Sequence, residues 1–320
     1  KVGNIFTEIG VCNKSEQANK ILKSDFESYG DFEKNLRQMY RNAEYIVTWE
    51  KYNFWELLSS IYRINRILPF EEKLNIFFTD LFFDWEAYKT KEEYSAFYDK
   101  LNSSLDYRDS IMGNNMIAGF EEILKNRDHR KKALVIYNGP HAYRRTLEKK
   151  PAAAYIFEKY PGRVTNVMIN WWAFLKEGIK LLSDGKWDAS FMYLNNPSLG
   201  FDFENSPFGN DKFDQYVERD TVLKYNDIYE GFIFYGGIHR WNCVVGIPDI
   251  WKDAPDVEEM LRREHHIVGN DYSVGEWKKY YNDVRNVILD DVSLDSIKAK
   301  IYSWLEDDEK SEKYILNSAY

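Results

Sequence analysis

Short β-branched and aromatic runs alternate with longer helical patterns along this chain, and that alternation limits the fold more than any other feature. Runs typical of strands are Asn4–Gly10, Leu74–Thr79, Ala133–Tyr137, Arg163–Ile169 and Phe232–Tyr235. Strands separated by helices are typical of an open, largely parallel sheet flanked by helices. We therefore expect an α/β protein, with a helical C-terminal region that begins near Val257.

The remaining patterns predict how the elements connect. Apolar residues at helical spacing predict helices over Ser15–Lys23, Asp31–Arg41, Phe54–Ile67, Glu92–Leu101, Asp109–Leu124, Pro151–Tyr160 and Ala173–Leu182. The continuous apolar run Ala133–Tyr137 predicts a strand buried on both faces. Ala189–Tyr193 is predicted as a strand and Asn195–Asn210 as a polar loop. Because no linker rich in Pro, Gly or Ser divides the chain, we expect a single domain over residues 1–320.

Composition excludes several classes of protein. The 43 Lys and Arg residues are outnumbered by 52 Asp and Glu residues, and a net charge of -9 argues against non-specific nucleic-acid binding. No run of about 20 apolar residues is present, so no membrane span is expected. Cys12 and Cys243 form no CxxC or Cys/His pair, which excludes a zinc ribbon and a disulfide framework. We expect a soluble protein; the residues leave its compartment open, and a removed signal peptide would place it outside the cytoplasm.

Three side chains able to carry acid/base chemistry follow predicted strands. Glu8 lies near the end of the first strand, Asp80 ends the second, and His141 comes four residues after the third. Ligands of open α/β sheets bind at the carboxyl ends of the strands, so these side chains can form an acid/base cluster there. The alternatives are structural: Glu8 and Asp80 as caps of the next segments, and His141 as a solvated or packing residue after an Asn-Gly-Pro turn.

Arg108 favours the functional interpretation. It precedes a helix that carries Asp109, Met112 and Asn115, and from the start of that helix it can turn toward the edge that carries Glu8. Its guanidinium group can pair bidentately with a carboxylate or a developing oxyanion. The alternative is a surface salt bridge, which would contribute about 0–1 kcal/mol.

The segment Tyr107–Ala142 resembles a known family. Its sequence is YRDSIMGNNMIAGFEEILKNRDHRKKALVIYNGPHA, which is similar to the R-D-x-x-M-x-x-N helix, following strand and histidine loop of the erythromycin esterase-like proteins, within the EreA/ChaN-like superfamily. IFTEIG resembles that family's second strand, which ends in a glutamate. YNDIYEGFIFYGGIHRWNCVVGIP more loosely resembles the family's closing strand region.

The resemblance implies a pocket lined by Glu8, Arg108 and His141. In the esterase branch such a pocket activates water to hydrolyse an ester or lactone, and it needs neither a metal nor another cofactor. Asp80 and Asn115 are predicted to contact the substrate. His239 joins them, because the preceding Gly-Gly pair would let the backbone approach a ligand.

One motif of the family is missing. The esterases use a G-E-x-H motif on an earlier strand, whose histidine is the main general base, and no histidine here follows Gly-Glu at that spacing. Two interpretations stay open. The motif lies on a first strand upstream of Lys1, or it has been lost, in which case His141 would act as the base with Glu8 orienting it.

Three functional hypotheses follow, all with a small molecule as the partner. The first is a hydrolase of an ester or lactone. The second is a non-catalytic protein on the same scaffold that binds a haem-like or hydrophobic ligand. The third is a scaffold protein whose ancestral site has decayed, which the missing G-E-x-H motif favours.

Overall fold

The computed structural model describes residues 1–45, 52–102, 107–126, 130–145, 149–175, 178–195, 198–215, 222–238, 243–287 and 294–306. Its first half contains β1 (Val2–Val11), α1 (Ser15–Lys23), α2 (Tyr29–Tyr40), α3 (Tyr52–Asn65), β2 (Asn75–Asp80), α4 (Lys91–Asn102), α5 (Tyr107–Lys125), β3 (Lys132–Ile136), α6 (Gly139–Ala142) and α7 (Ala152–Lys159). Its second half contains β4 (Val167–Ile169), β5 (Trp172–Leu175), β6 (Gly178–Leu181), α8 (Lys186–Tyr193), β7 (Leu199–Asp202), α9 (Pro207–Asn210), α10 (Tyr225–Ile228), β8 (Gly231–Phe234), β9 (Cys243–Val245), α11 (Ala254–Leu261), α12 (Val274–Asn282), β10 (Arg285–Val287) and α13 (Leu294–Leu305).

The chain divides into two compact units. Unit 1 comprises Lys1–Ala142, Glu148–Lys159 and Val244–Asn286, and unit 2 comprises Tyr143–Leu147, Tyr160–Cys243 and Val287–Tyr320. Strands flanked by helices, with helices again in the C-terminal region, confirm the predicted α/β class. The single-domain expectation stays a prediction. Within the described part of the chain, no helix is long and apolar enough to cross a membrane.

Unit 1 is built on a parallel sheet of order β2-β1-β3. Successive side chains along its strands point to opposite faces of the sheet. On one face, Ile5, Ile76 and Phe78 belong to the core that includes α1, α2 and α3. On the other face, Phe6 stacks on Phe77 with ring centroids 4.6 Å apart, and both rings lie under α5. Because the strands run in parallel, their carboxyl ends meet at one edge of the sheet.

Unit 2 packs around an aromatic core. Its mixed sheet has the order β4-β8-β7, with β4 parallel and β7 antiparallel to β8. Trp187 of α8 is fully buried and contacts the rings of Phe208, Tyr225 and Phe232 at centroid distances of 5.3, 4.5 and 5.1 Å. Its indole Nε1 donates to Asp211 at 2.8 Å, so the one polar atom of this buried ring is satisfied.

Several local predictions were wrong. The predicted helix Ala173–Leu182 is the antiparallel pair β5 and β6, and the predicted strand Ala189–Tyr193 is part of α8. The predicted loop Asn195–Asn210 contains β7 and α9. Short apolar runs suit both helix and strand, and tertiary packing decides between them. β3 is an edge strand, with Leu134 49% exposed, and is therefore not buried on both faces.

The end of β1 depends on a glycine. Gly10 has a φ of 106°, and the register between β1 and β2 shifts between Thr7 and Val11. A Cβ on Gly10 would lie 2.6 Å from the ring of Phe78. An L side chain is therefore excluded by both conformation and space.

We expect Gly10→Ala to lower the free energy of unfolding by about 1–3 kcal/mol, because the strained φ and the overlap with Phe78 add. Urea denaturation measures the change. Gly30→Ala, in α2 with only a side-chain oxygen 3.7 Å from the new carbon, is the matched control and should change stability by less than about 1 kcal/mol. Equal effects at both positions would contradict the account of this bulge.

Candidate functional site

Polar side chains gather at the carboxyl edge of the sheet in unit 1. Glu8 lies near the end of β1, Asp80 is the last residue of β2, and His141 lies on the short helix α6 that follows β3. Arg108 reaches the same edge from the first turn of α5. Asn115 joins them through a hydrogen bond to the Asp80 carbonyl, so five of the six residues singled out from the sequence lie at this edge.

An ion pair joins Asp80 to Arg108. The Arg108 Nε lies 3.1 Å from both carboxylate oxygens, and its Nη2 donates to Oδ2 at 2.8 Å. Asp80 is fully buried. Burial by itself would lower the pKa of Arg108, but the Asp80 carboxylate outweighs it and the pKa is raised. The alternative of a surface salt bridge is therefore wrong.

His141 is held by an acceptor on one side and a donor on the other. Its Nδ1 lies 2.7 Å from Asp109 Oδ1, and its Nε2 lies 3.1 Å from Arg108 Nη1. A guanidinium nitrogen only donates, so Nε2 must present its lone pair, and the carboxylate of Asp109 requires the proton on Nδ1. The contacts therefore select the tautomer whose Nε2 can accept a proton.

Asp109 is fixed by more than the histidine. Its Oδ1 also accepts the backbone N–H of Ala152, at the start of α7, at 2.9 Å. Lys149 Nζ lies 3.8 Å from its Oδ2. The carboxylate is buried and lies in the first turn of α5, where the helix dipole favours a negative charge. Asp109 is thus a fixed anchor for the imidazole ring.

Glu8 faces His141 from the neighbouring strand. Its Oε1 accepts the backbone N–H of Asn138 at 2.7 Å, and its Oε2 lies 3.6 Å from His141 Nε2. Burial raises the pKa of Glu8, while His141 and Arg108 oppose that shift. This buried Oε2 has no hydrogen-bond partner within the described residues. A buried carboxylate oxygen without a donor is costly to keep charged, which agrees with the raised pKa of Glu8.

Asn115 and a hydrogen-bonded chain hold the strand ends in place. Asn115 Nδ2 donates to the carbonyl oxygens of Thr79 and Asp80 at 2.9 and 3.2 Å. Tyr137 donates to Thr79 Oγ1 at 2.6 Å, and Thr79 donates to the carbonyl of Thr7 at 3.0 Å. These bonds tie the ends of all three strands together. They give Asn115 a structural role, and its contact with a substrate stays a prediction.

Some residues stand apart from the sequence-based set. His239 lies outside the described residues, so its place in the site stays a prediction. Asp109 was recognised only as part of a motif, and its pairing with His141 was missed because the two lie 32 positions apart. Glu44, which follows α2, was missed because no local pattern marks it.

Across the described ranges, no group of three His, Cys, Asp or Glu side chains is arranged to hold a metal ion.

The chain has one weak structural likeness among the proteins compared with it. No family model matches the chain, and no curated protein matches it. A solved structure from Bacillus cereus is similar at 11% sequence identity and a TM-score of 0.43, covering 74% of this chain and 81% of that one.

We expect Arg108→Met to lower the free energy of unfolding by about 3–5 kcal/mol, because it leaves the Asp80 carboxylate buried without a counter-charge. Urea denaturation at pH 7 measures the loss. Arg66→Met is the matched control, because Arg66 pairs with Asp25, which is 75% exposed, and should cost about 0–1 kcal/mol.

In the double variant Asp80→Asn/Arg108→Met, the loss should be smaller than the sum of the two single losses. Additive losses would show that the pair is not coupled.

Proposed function

We propose that this protein hydrolyses an ester or lactone by activating water without a metal, with His141 as the general base. The observation that carries the proposal is that both ring nitrogens of His141 are hydrogen-bonded. Asp109 binds Nδ1 and Arg108 binds Nε2. Glu8 completes the site at 3.6 Å. The likeness of the R-D-x-x-M-x-x-N helix to the erythromycin esterase-like proteins supports the same chemistry.

The first step is proton removal from water. A water molecule that takes the place of Arg108 Nη1 at His141 Nε2 would lose its proton to that nitrogen, while its oxygen bonds to the carbonyl carbon. Asp109 stabilises the imidazolium that forms, because its carboxylate already holds Nδ1–H at 2.7 Å. Asp109 and His141 would act here as the aspartate and the histidine act in hydrolytic triads. Water takes the place of the serine nucleophile.

Arg108 supplies the positive charge that the reaction needs. The carbonyl oxygen becomes an oxyanion when water adds, and Arg108 Nη1, displaced from the imidazole, is placed to donate to it. Nε and Nη2 are anchored on Asp80, so the guanidinium has only to pivot about that carboxylate when Nη1 leaves the imidazole. A donor anchored in this way contributes most in a site with little water.

Glu8 and His141 can together return the proton. When the tetrahedral intermediate collapses, the carbon–oxygen bond to the leaving alcohol breaks and the alkoxide takes a proton from the imidazolium. Glu8 Oε2 lies 3.6 Å from His141 Nε2, so it must approach by about half an ångström to share that proton. Burial raises the pKa of Glu8, which favours its protonated form. The net reaction is ester plus water to carboxylic acid plus alcohol.

We expect His141→Ala to lower kcat/KM about 10²–10⁴-fold on the ester that wild type hydrolyses best, because the general base is removed. Asp109→Asn should lower kcat and leave KM nearly unchanged, since it affects the imidazole and not substrate binding. A panel of aryl esters and macrolide lactones measures both effects.

The matched control is His266→Ala, which removes an exposed histidine and should leave the rate unchanged. The proposal is wrong for these substrates if wild type and His141→Ala hydrolyse all of them at the same background rate. It is also wrong in its assignment of the base if Asp109→Asn and His141→Ala leave turnover intact while Glu8→Gln abolishes it.

A further inference from the structure

Glu44 is a second buried glutamate beside the candidate site, and the mechanism above does not use it. Val11, at the end of β1, donates its backbone N–H to Ala43 O at 2.8 Å, which sets the segment beside the β1 bulge. Trp85 Nε1 donates to the carbonyl of Glu44 at 2.9 Å, and the Tyr94 hydroxyl donates to the carbonyl of Tyr45 at 2.7 Å. The backbone on both sides of the Glu44 side chain is therefore fixed.

The Glu44 carboxyl group lies in a crowded electrostatic environment. Burial raises its pKa well above the usual value, and the negative charges of Asp80 and Glu8 raise it further. Arg108 and the Gly10 backbone N–H act in the opposite direction. Arg108 is already engaged by Asp80 and His141, so it cannot compensate a third carboxylate.

A small cavity opens on the other side of Glu44. Its volume is about 20 Å³, which is room for one water molecule. Two buried polar atoms on its walls, Glu44 Oε1 and Trp251 Nε1, have no hydrogen-bond partner within the described residues. The nearby cations are occupied, because Arg41 pairs with Asp256 and Arg263 with Glu259. The cavity suits a water molecule better than an anion.

We propose that Glu44 is a positioning residue that remains a neutral carboxylic acid, holds the Gly10 backbone and thereby fixes Glu8, and shares a water molecule in the cavity with Trp251. Its effect on turnover rests on the proposed function, whereas its protonation does not. Gly10 lies two residues after Glu8 in the β1 bulge, so a group that holds its N–H also limits the orientation of the Glu8 side chain. A neutral Glu44 does not compete with Asp80 for the positive charge of Arg108.

The titratable and charged groups around Glu44 come from every element packed against it. They are Glu8, Asp80 and Arg108 at the sheet edge, Tyr40, Arg41 and Tyr45 in and after α2, and Arg263 after α11. A carboxylate at Glu44 would lie beside two other acids and close to arginines that are already paired.

The test is Glu44→Gln, which keeps the shape of the side chain and cannot ionise. The sign follows from the raised pKa: folded wild type keeps a proton that the unfolded chain releases above about pH 4.5, so stability falls as pH rises from there toward the folded-state pKa. Each pH unit in that window lowers the folding equilibrium constant of wild type up to tenfold relative to Glu44→Gln. Urea denaturation from pH 5 to pH 8 measures the difference, and Glu86→Gln, at a side chain 71% exposed, should match wild type throughout.

Turnover is the second readout. With the best ester found, Glu44→Gln should keep kcat/KM within about threefold and leave the acidic limb of the pH profile in place, because it replaces one neutral group by another. Glu44→Leu, which cannot hold the Gly10 N–H, should lower kcat at least tenfold and shift that limb, since Glu8 is no longer fixed. A parallel pH dependence of stability in wild type and Glu44→Gln, or a shift of the limb in Glu44→Gln, would overturn the proposal.

Infrared spectroscopy detects the protonated carboxyl group directly, and the absence of the band in wild type needs no variant to be informative. A neutral Glu44 predicts a protonated-carboxyl band above pH 5 that does not exchange readily in D₂O, and the loss of this band in Glu44→Gln distinguishes it from any band of Glu8, whose pKa is also raised. The absence of any such band in wild type would overturn the proposal even if no variant were stable. If wild type hydrolyses no ester, the proposed function fails, and the stability and infrared measurements still decide the protonation of Glu44.

Discussion

The buried ion pair between Asp80 and Arg108 is the interaction on which the candidate site depends. Asp80 ends a strand and is fully buried, so its charge must be compensated where it lies. Arg108 does so through Nε and Nη2, and this leaves Nη1 directed at His141. The orientation of the His141 ring is thus a consequence of how Arg108 neutralises the Asp80 carboxylate.

The same ion pair governs the other acids at this edge of the sheet. The guanidinium group of Arg108 pairs with Asp80 and faces Glu8. It also lies close enough to Glu44 to oppose the rise in the pKa of that carboxyl group. Burial is the main cause of the raised pKa of both glutamates. A single cation cannot neutralise three buried carboxylates, so it offsets that shift only in part. A site poised in this way can accept and return protons during a reaction.

The parallel sheet and the residues at its edge could be predicted because each depends on local sequence. Glu8 and His141 follow clear strands, and strand ends in a parallel sheet converge whatever the details of packing. The Ala173–Leu182 segment could not be assigned, because its short apolar runs fit a helix as well as the observed strand pair. Asp109 as the partner of His141, and Glu44 as a buried acid, depend on contacts between distant parts of the chain, which no local pattern reports.

The protonation of the His141 ring tests the account most directly. Nitrogen-15 NMR of the imidazole distinguishes the two tautomers, and the signal is assigned by its loss in His141→Gln. The contacts to Asp109 and Arg108 predict the tautomer with the proton on Nδ1 and a bare Nε2. A proton on Nε2 would contradict the account, because Arg108 could then not donate to that nitrogen and His141 could not accept a proton from water.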